Sequence, residues 1–189
     1  ILRIASQTKA ITCVAVMILF DEGKFQLDDP ISKYIPAFKN PQVLDKFNPS
    51  DSSYIAKPAN HEITIRELLT HTSGLGYAQI GSPDMNAIYE KAGIEAGFVT
   101  HKKLLETEIN KLGKLPLAMQ PGEKWQYSLS IDVLGRLVEV ASGLTLNDFF
   151  KQRIFLPLGM YDTYFALPKV KQGRLATVYT EDPKTKRIK

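Results

Sequence analysis

The sequence predicts an α+β chain in which helices dominate and little sheet is present. Three observations carry this. Apolar residues recur at helical spacing, as at Ile131, Leu134, Val138 and Ala141. Stretches rich in Gly, Pro, Asn and Ser separate these windows. Strand-like runs are few: one at the opening residues and two near the end. With 189 residues, 44% of them hydrophobic, the chain suffices for one domain with a core, or for part of a larger one.

The elements follow in order. A helix is expected over about 6–20, ending at Gly23, a residue suited to a helix C-terminus. Its residues Ile11, Cys13, Val14, Ala15, Val16, Met17, Ile18, Leu19 and Phe20 are apolar on nearly every side, which predicts a central helix covered all round. Pro30 and Pro36 then exclude a continuous long helix. Residues 40–60, rich in Asn, Pro, Ser and Asp, read as a surface loop. Thr64 to Thr70 is a short helix with a capping Thr at its start, ended by Ser73-Gly74-Leu75-Gly76. Amphipathic helices are expected at Pro83 to Lys91 and Lys102 to Leu112, and Gln120-Pro121-Gly122 is a turn. Ile131 to Ala141 is a helix closed by Ser142-Gly143, and Leu146 to Phe155 is the next. Thr163 to Phe165 and Leu175 to Tyr179 read as two short strands around a basic turn. No repeat and no linker divides the chain, so it is expected to form part of one domain.

Composition narrows the function classes. The formal charge is +4, and the last seven residues supply all of it through Lys184, Lys186, Arg187 and Lys189. Bases and acids balance in the remainder, so no basic face for nucleic acid is expected. The single cysteine, Cys13, excludes an intrachain disulfide and a cysteine-rich zinc site. No apolar run approaches the ~18 residues of a membrane span. The chain opens at Ile1 in an extended apolar stretch without an initiator Met, which is the expected appearance of a piece of a longer protein.

The first candidate for chemistry is Ser6-Gln7-Thr8-Lys9. On a helix, positions i and i+3 share a face, so the Ser6 hydroxyl and the Lys9 amine point into one space. A serine hydroxyl is a poor nucleophile until a base takes its proton. An amine does so when its pKa falls toward neutrality, and burial and the positive end of a helix both act in that direction. The competing reading is a Ser6 that only caps the helix. A capping box would want Glu or Gln three residues on, and Lys9 is neither. The second candidate is Tyr127, in Trp125-Gln126-Tyr127-Ser128. A phenol beside cations can exchange a proton. Its alternative is an aromatic packed against Trp125.

Other patterns carry less. His61-Glu62 begins a zinc-protease pattern, but Ile65 stands at the second histidine's place. His71 and Ser73 lie close in sequence at a helix end and are not expected to face each other. A hydrolase elbow needs Gly two residues before its serine, where His71 stands. His101 reads as solvated at a helix start. No phosphate loop, metal site or cofactor site is expected.

An ordered set of segments nonetheless resembles one superfamily. They are Arg3 to Lys9, Leu27 to Pro36, Ile63 to Leu75, Pro121 to Ser128, Asp132 to Glu139, and Phe155 to Thr163. Together they are similar to the serine β-lactamases and penicillin-binding proteins, and most of all to the class C β-lactamase-like (family VIII) carboxylesterases. The resemblance implies a β-lactamase/transpeptidase-like fold, of which this chain is mainly the helical region: a nucleophile helix over 6–20, a helical region over 39–160 and a strand pair over 162–189. The remaining sheet strands lie outside it. It implies that Ser6 attacks an ester or amide carbonyl while Lys9 and Tyr127 share the proton work. The Ser6 backbone N–H would supply half of an oxyanion hole. Two departures matter. The superfamily commonly has Tyr-x-Asn, and here the third residue is Leu129, which, with Ser128, is expected to line the substrate site. The superfamily's third motif, a Lys, His or Trp followed by a small residue and Gly on a sheet strand, appears nowhere suitable in this chain.

The expectation is a serine hydrolase acting on small acyl esters. The alternatives are a β-lactamase or D-Ala-D-Ala carboxypeptidase, and a non-catalytic penicillin- or peptidoglycan-binding module. The partner expected is a small ester or lactam. The resemblance implies an exported, periplasmic location, with a cytoplasmic one left open; oligomeric state has no signal.

Overall fold

The computed structural model describes residues 1–78, 80–95, 104–179, 181–182 and 184–188. The first helix begins as one 3₁₀ turn, Ala5–Gln7, and continues as α1, Thr8–Asp21. It ends where Lys24 N–H reaches Leu19 O and Gly23 N–H reaches Phe20 O, with Gly23 at φ 72°, so Gly23 terminates it in a Schellman turn.

A two-stranded antiparallel sheet follows: β1, Gln42–Asn48, paired with β2, Ser53–Pro58. This corrects the loop expected over 40–60. The register runs from Gln42 opposite Pro58 to Asn48 opposite Ser53, with a bulge between Leu44 and Lys46. Most side chains of the hairpin are exposed, so it lacks the apolar alternation that announces a strand. Backbone pairing and docking hold it: Val43 is buried, and Gln42 and Leu44 exchange hydrogen bonds with Leu117 at 2.7 and 2.8 Å.

Helix α2, Ile65–Leu69, starts at a full capping box in which Thr64 and Glu67 each accept the other's backbone N–H. Arg66 on it grips Asp28 with two hydrogen bonds, of 2.7 and 2.9 Å. Helices α3, Pro83–Lys91, and α4, Leu105–Leu112, come next. Residues 102 and 103 of the expected helix, and His101, lie outside the described residues. Helix α5, Ser130–Ser142, is the hub. Its Val133, Leu134, Leu137 and Val138 are fully buried, and it packs against α1, α2, α4 and α6. Helix α6, Leu146–Phe150, runs into a π-helical turn over Lys151–Phe155 that buries Ile154 and Phe155.

Two expectations change here. Helix α1 is covered on one side only: Ala15, Val16 and Leu19 are buried against the helical body, while Val14 and Met17 are 49% and 37% exposed. Its all-round apolar character therefore outruns the cover that the described residues supply. The two terminal strands also do not form. Lys169–Arg174 is a 3₁₀ helix, and 163–165 is irregular. Leu175 to Tyr179 instead lies beside the opening residues: Ile1 N–H donates to Arg174 O, Ala176 N–H to Ile1 O, and the Arg3 guanidinium to Ala176 O. Among the described residues these contacts form no ladder.

Candidate active site

The head of α1 places two of the expected residues. Ser6 sits in the 3₁₀ turn, exposed, directly after Ala5, whose φ of 42° is left-handed and costly for a residue with a Cβ. Lys9 lies one turn on, and both line a cavity of about 360 Å³ with Tyr77, Ile131, Asp132 and Phe165.

Tyr127 comes from the segment leading into α5. Its hydroxyl is 2.7 Å from Ser6 Oγ. The Lys9 amine stands 4.8 Å from the centre of the Tyr127 ring and 5.7 Å from that of Tyr77. The structure thus brings Ser6, Lys9 and Tyr127 together. No ion pair holds Lys9 among the described residues. Burial pushes the Tyr127 phenol up, but hydrogen bonding by Lys9 and Ser6 and the charge of Lys9 outweigh it, leaving the phenol below its ordinary range. An acidified phenol within hydrogen-bond reach of a serine hydroxyl can pass a proton either way.

The other two expected residues face elsewhere. Leu129 is buried in the core, its N–H donating to Gly76 O at 3.0 Å. Ser128 is fully buried and points away from the cavity, toward His71 and Ser130. Neither opens onto the cavity, because the chain turns into α5 immediately after Tyr127.

Three further residues join the site. Asp132 stands in the first turn of α5 and lines the cavity; burial raises its carboxyl, against the pull of the Lys9 charge. Tyr77 flanks Lys9, and burial raises its phenol. His71 stacks on Tyr127, ring centres 5.3 Å apart and planes 23° from parallel. Its Nδ1 is 3.0 Å from Ser128 Oγ. Burial, then the charge of Lys9, lower its pKa. Asp132 had only the weak signal of an acid in a helix's first turn. His71 had none in its neighbours, since its partner is 57 residues away. Among the described residues, no group of three His, Cys, Asp or Glu side chains is placed to hold a metal ion, and no helix is long and apolar enough to cross a membrane.

Comparison with known proteins gives a consistent set. Residues 1–189 match the family described as Beta-lactamase. Protein Rv1367c of Mycobacterium tuberculosis is 38% identical over 181 residues, covering 95% of this chain and 43% of that protein. Esterase EstB of Burkholderia gladioli is 37% identical over 163 residues, covering 86% of this chain and 38% of that protein. Among solved structures, EstCE1, a hydrolase with promiscuous acyltransferase activity, is 32% identical with a TM-score of 0.77, covering 94% of this chain and 42% of that one. The chain spans less than half the length of the relatives it matches.

Proposed function

The chain belongs to the Beta-lactamase family and shares the β-lactamase/transpeptidase-like fold, and from that premise we propose that it carries the acylation site of a serine hydrolase for small acyl esters. The observation that carries the reading is the 2.7 Å contact of Ser6 Oγ with the Tyr127 hydroxyl, beside the Lys9 amine.

The steps follow from that geometry. Ser6 Oγ adds to the ester carbonyl while its proton passes to the Tyr127–Lys9 pair. The Ser6 N–H stands in the first turn, before intrahelical acceptors begin, and is free to meet the oxyanion. The tetrahedral adduct collapses, the C–O bond to the alcohol breaks, and the pair returns the proton to the leaving alkoxide. Water then adds to the acyl-enzyme, giving a proton to the same pair; the acyl bond to Ser6 Oγ breaks, the pair returns the proton to Ser6, and the acid leaves. The chain is one part of the domain; sheet strands from the longer protein would cover the open face of α1 and complete the oxyanion hole.

Two points favour esters over lactams. The cavity beside Ser6 is walled by the apolar Ile131 and Phe165. EstB is described as an esterase. The test is turnover of short-chain nitrophenyl esters beside a chromogenic cephalosporin by the full-length protein. Ester turnover without lactam turnover supports this reading; the reverse contradicts it.

A further inference from the structure

Helix α2 ends in a Schellman turn, with Thr72 N–H on Glu67 O at 2.8 Å and His71 N–H on Leu68 O at 3.3 Å. The left-handed residue of such a turn is usually glycine. Here it is His71, at φ 56°. The imidazole therefore stands at a position where the turn by itself favours glycine.

The imidazole closes a buried chain of three serines. Ser73, Ser130 and Ser128 are each fully buried. Ser73 Oγ is 2.7 Å from Ser130 Oγ, Ser130 Oγ is 2.7 Å from Ser128 Oγ, and Ser128 Oγ is 3.0 Å from His71 Nδ1. The protons along the chain run in one direction. Ser73 Oγ accepts the Leu75 N–H at 3.2 Å, and Ser128 Oγ accepts the Ser130 N–H at 3.3 Å. If Ser73 donates to Ser130, Ser130 to Ser128, and Ser128 to His71 Nδ1, every hydroxyl proton is used. In the reverse direction the Ser73 proton has no described acceptor, and an unpaired buried donor is costly. A chain running this way leaves Nδ1 unprotonated and places the ring's proton on Nε2.

We propose that His71 is a positioning residue for Tyr127, held by the buried serine chain as the neutral tautomer protonated at Nε2. The ring backs the Tyr127 phenol, on the wall facing Ser6 and Lys9, without adding a second positive charge beside Lys9. The groups facing His71 are Lys9 from α1 and Tyr127, Trp125 and Ser128 from the segment before α5. For its role in turnover this inference rests on the proposed function; the state of the ring does not.

Two spectroscopic measurements on the full-length protein test it. In ¹⁵N-histidine spectra at neutral pH, His71, assigned by its loss in His71→Gly, should show the neutral Nε2–H pattern. An Nδ1–H pattern, or an imidazolium there, overturns the tautomer. His71→Gly gives the turn its preferred residue but leaves the buried Ser128 hydroxyl without its acceptor, so it should stay folded and melt somewhat lower than the native protein. In that variant the Tyr127 ¹³Cζ resonance should titrate higher, toward an ordinary phenol, as its hold on Ser6 and Lys9 loosens. An unchanged Tyr127 titration overturns the positioning role. Ester acylation should fall on the order of tenfold with little change in KM, short of the hundredfold that an ångström of misplacement can cost. Absence of any ester turnover in the native protein would sink the proposed function while both titrations still decide this one.

Discussion

At the head of α1, Ser6 and Lys9 are placed by spacing alone: three residues apart on one helical face, with a strained Ala5 before them. On the facing wall Tyr127 is placed by everything behind it. His71 stacks on its ring, three buried serines hold His71, and Gln126 N–H donates to His71 O at 2.8 Å. The wall is two loops tied together: Leu129 N–H reaches Gly76 O, and Ala118 N–H reaches Gly74 O. The helix head supplies the nucleophile from four consecutive residues. The wall supplies the phenol from 121 residues away. A short-range device survives many changes around it, whereas a long-range one depends on each tie.

That contrast can be broken at the wall. Tyr127→Phe keeps the ring and its stack but removes the hydroxyl, and should slow acylation by ~10² or more, the scale for a lost acid/base group. A burst experiment with a nitrophenyl ester measures it; a change under a few-fold would remove Tyr127 from the chemistry and leave the helix head to act alone. Gly74→Ala attacks the ties. Gly74 has φ 81°, and an added Cβ would stand 2.3 Å from Met119 O. The left-handed conformation and the clash together should cost about 3 kcal/mol, read as a lower urea midpoint. Tyr89→Phe is gentler. The fully buried Tyr89, its phenol pushed up to about 12 by burial, accepts the Gly76 N–H at 3.0 Å. Its loss should cost about 1–2 kcal/mol by orphaning that donor.

Away from the wall, Asp29 offers a control. Hydrogen bonds from the Tyr34 hydroxyl, the Gln26 N–H and Lys33 hold its carboxyl at about 2, against an ordinary 3.8. A carboxyl depressed in this way stabilises the fold above its ordinary pKa and loses that effect as pH falls from about 4 to about 2. Asp29→Asn should flatten the acid limb of thermal stability there while ester acylation at neutral pH stays unchanged. A shift in acylation would couple this distant anchor to the site and blur the contrast.

The legible and illegible parts of the molecule follow the same division. Helices α1, α3 and α5 have apolar spacing and recognisable caps or terminating glycines, so Pro83 to Lys91 could be bounded from the residues. Ser6 and Lys9 were legible because helical geometry is local. The β1–β2 hairpin was not, because its largely exposed strands mix polar and apolar residues without a buried face and are held mainly by backbone bonds and the buried Val43. The strands expected after Asp162 are absent: Lys169–Arg174 is a 3₁₀ helix, and residues 174–176 meet the opening residues through single hydrogen bonds. His71 was set aside for lack of a partner nearby, and its partner proved to be Ser128 across the fold. Leu129, placed by analogy at the substrate, belongs to the core because α5 begins beside it.

On this reading the oxygen of Ser6 is made nucleophilic by the Lys9–Tyr127 pair. The most direct measurement is peptide mass spectrometry of the full-length protein after exposure to a fluorophosphonate. The account predicts a single phosphonyl adduct on Ser6, absent in Ser6→Ala and strongly slowed in Tyr127→Phe. A folded native protein that stays unmodified at Ser6, or carries the adduct on another serine, would contradict it.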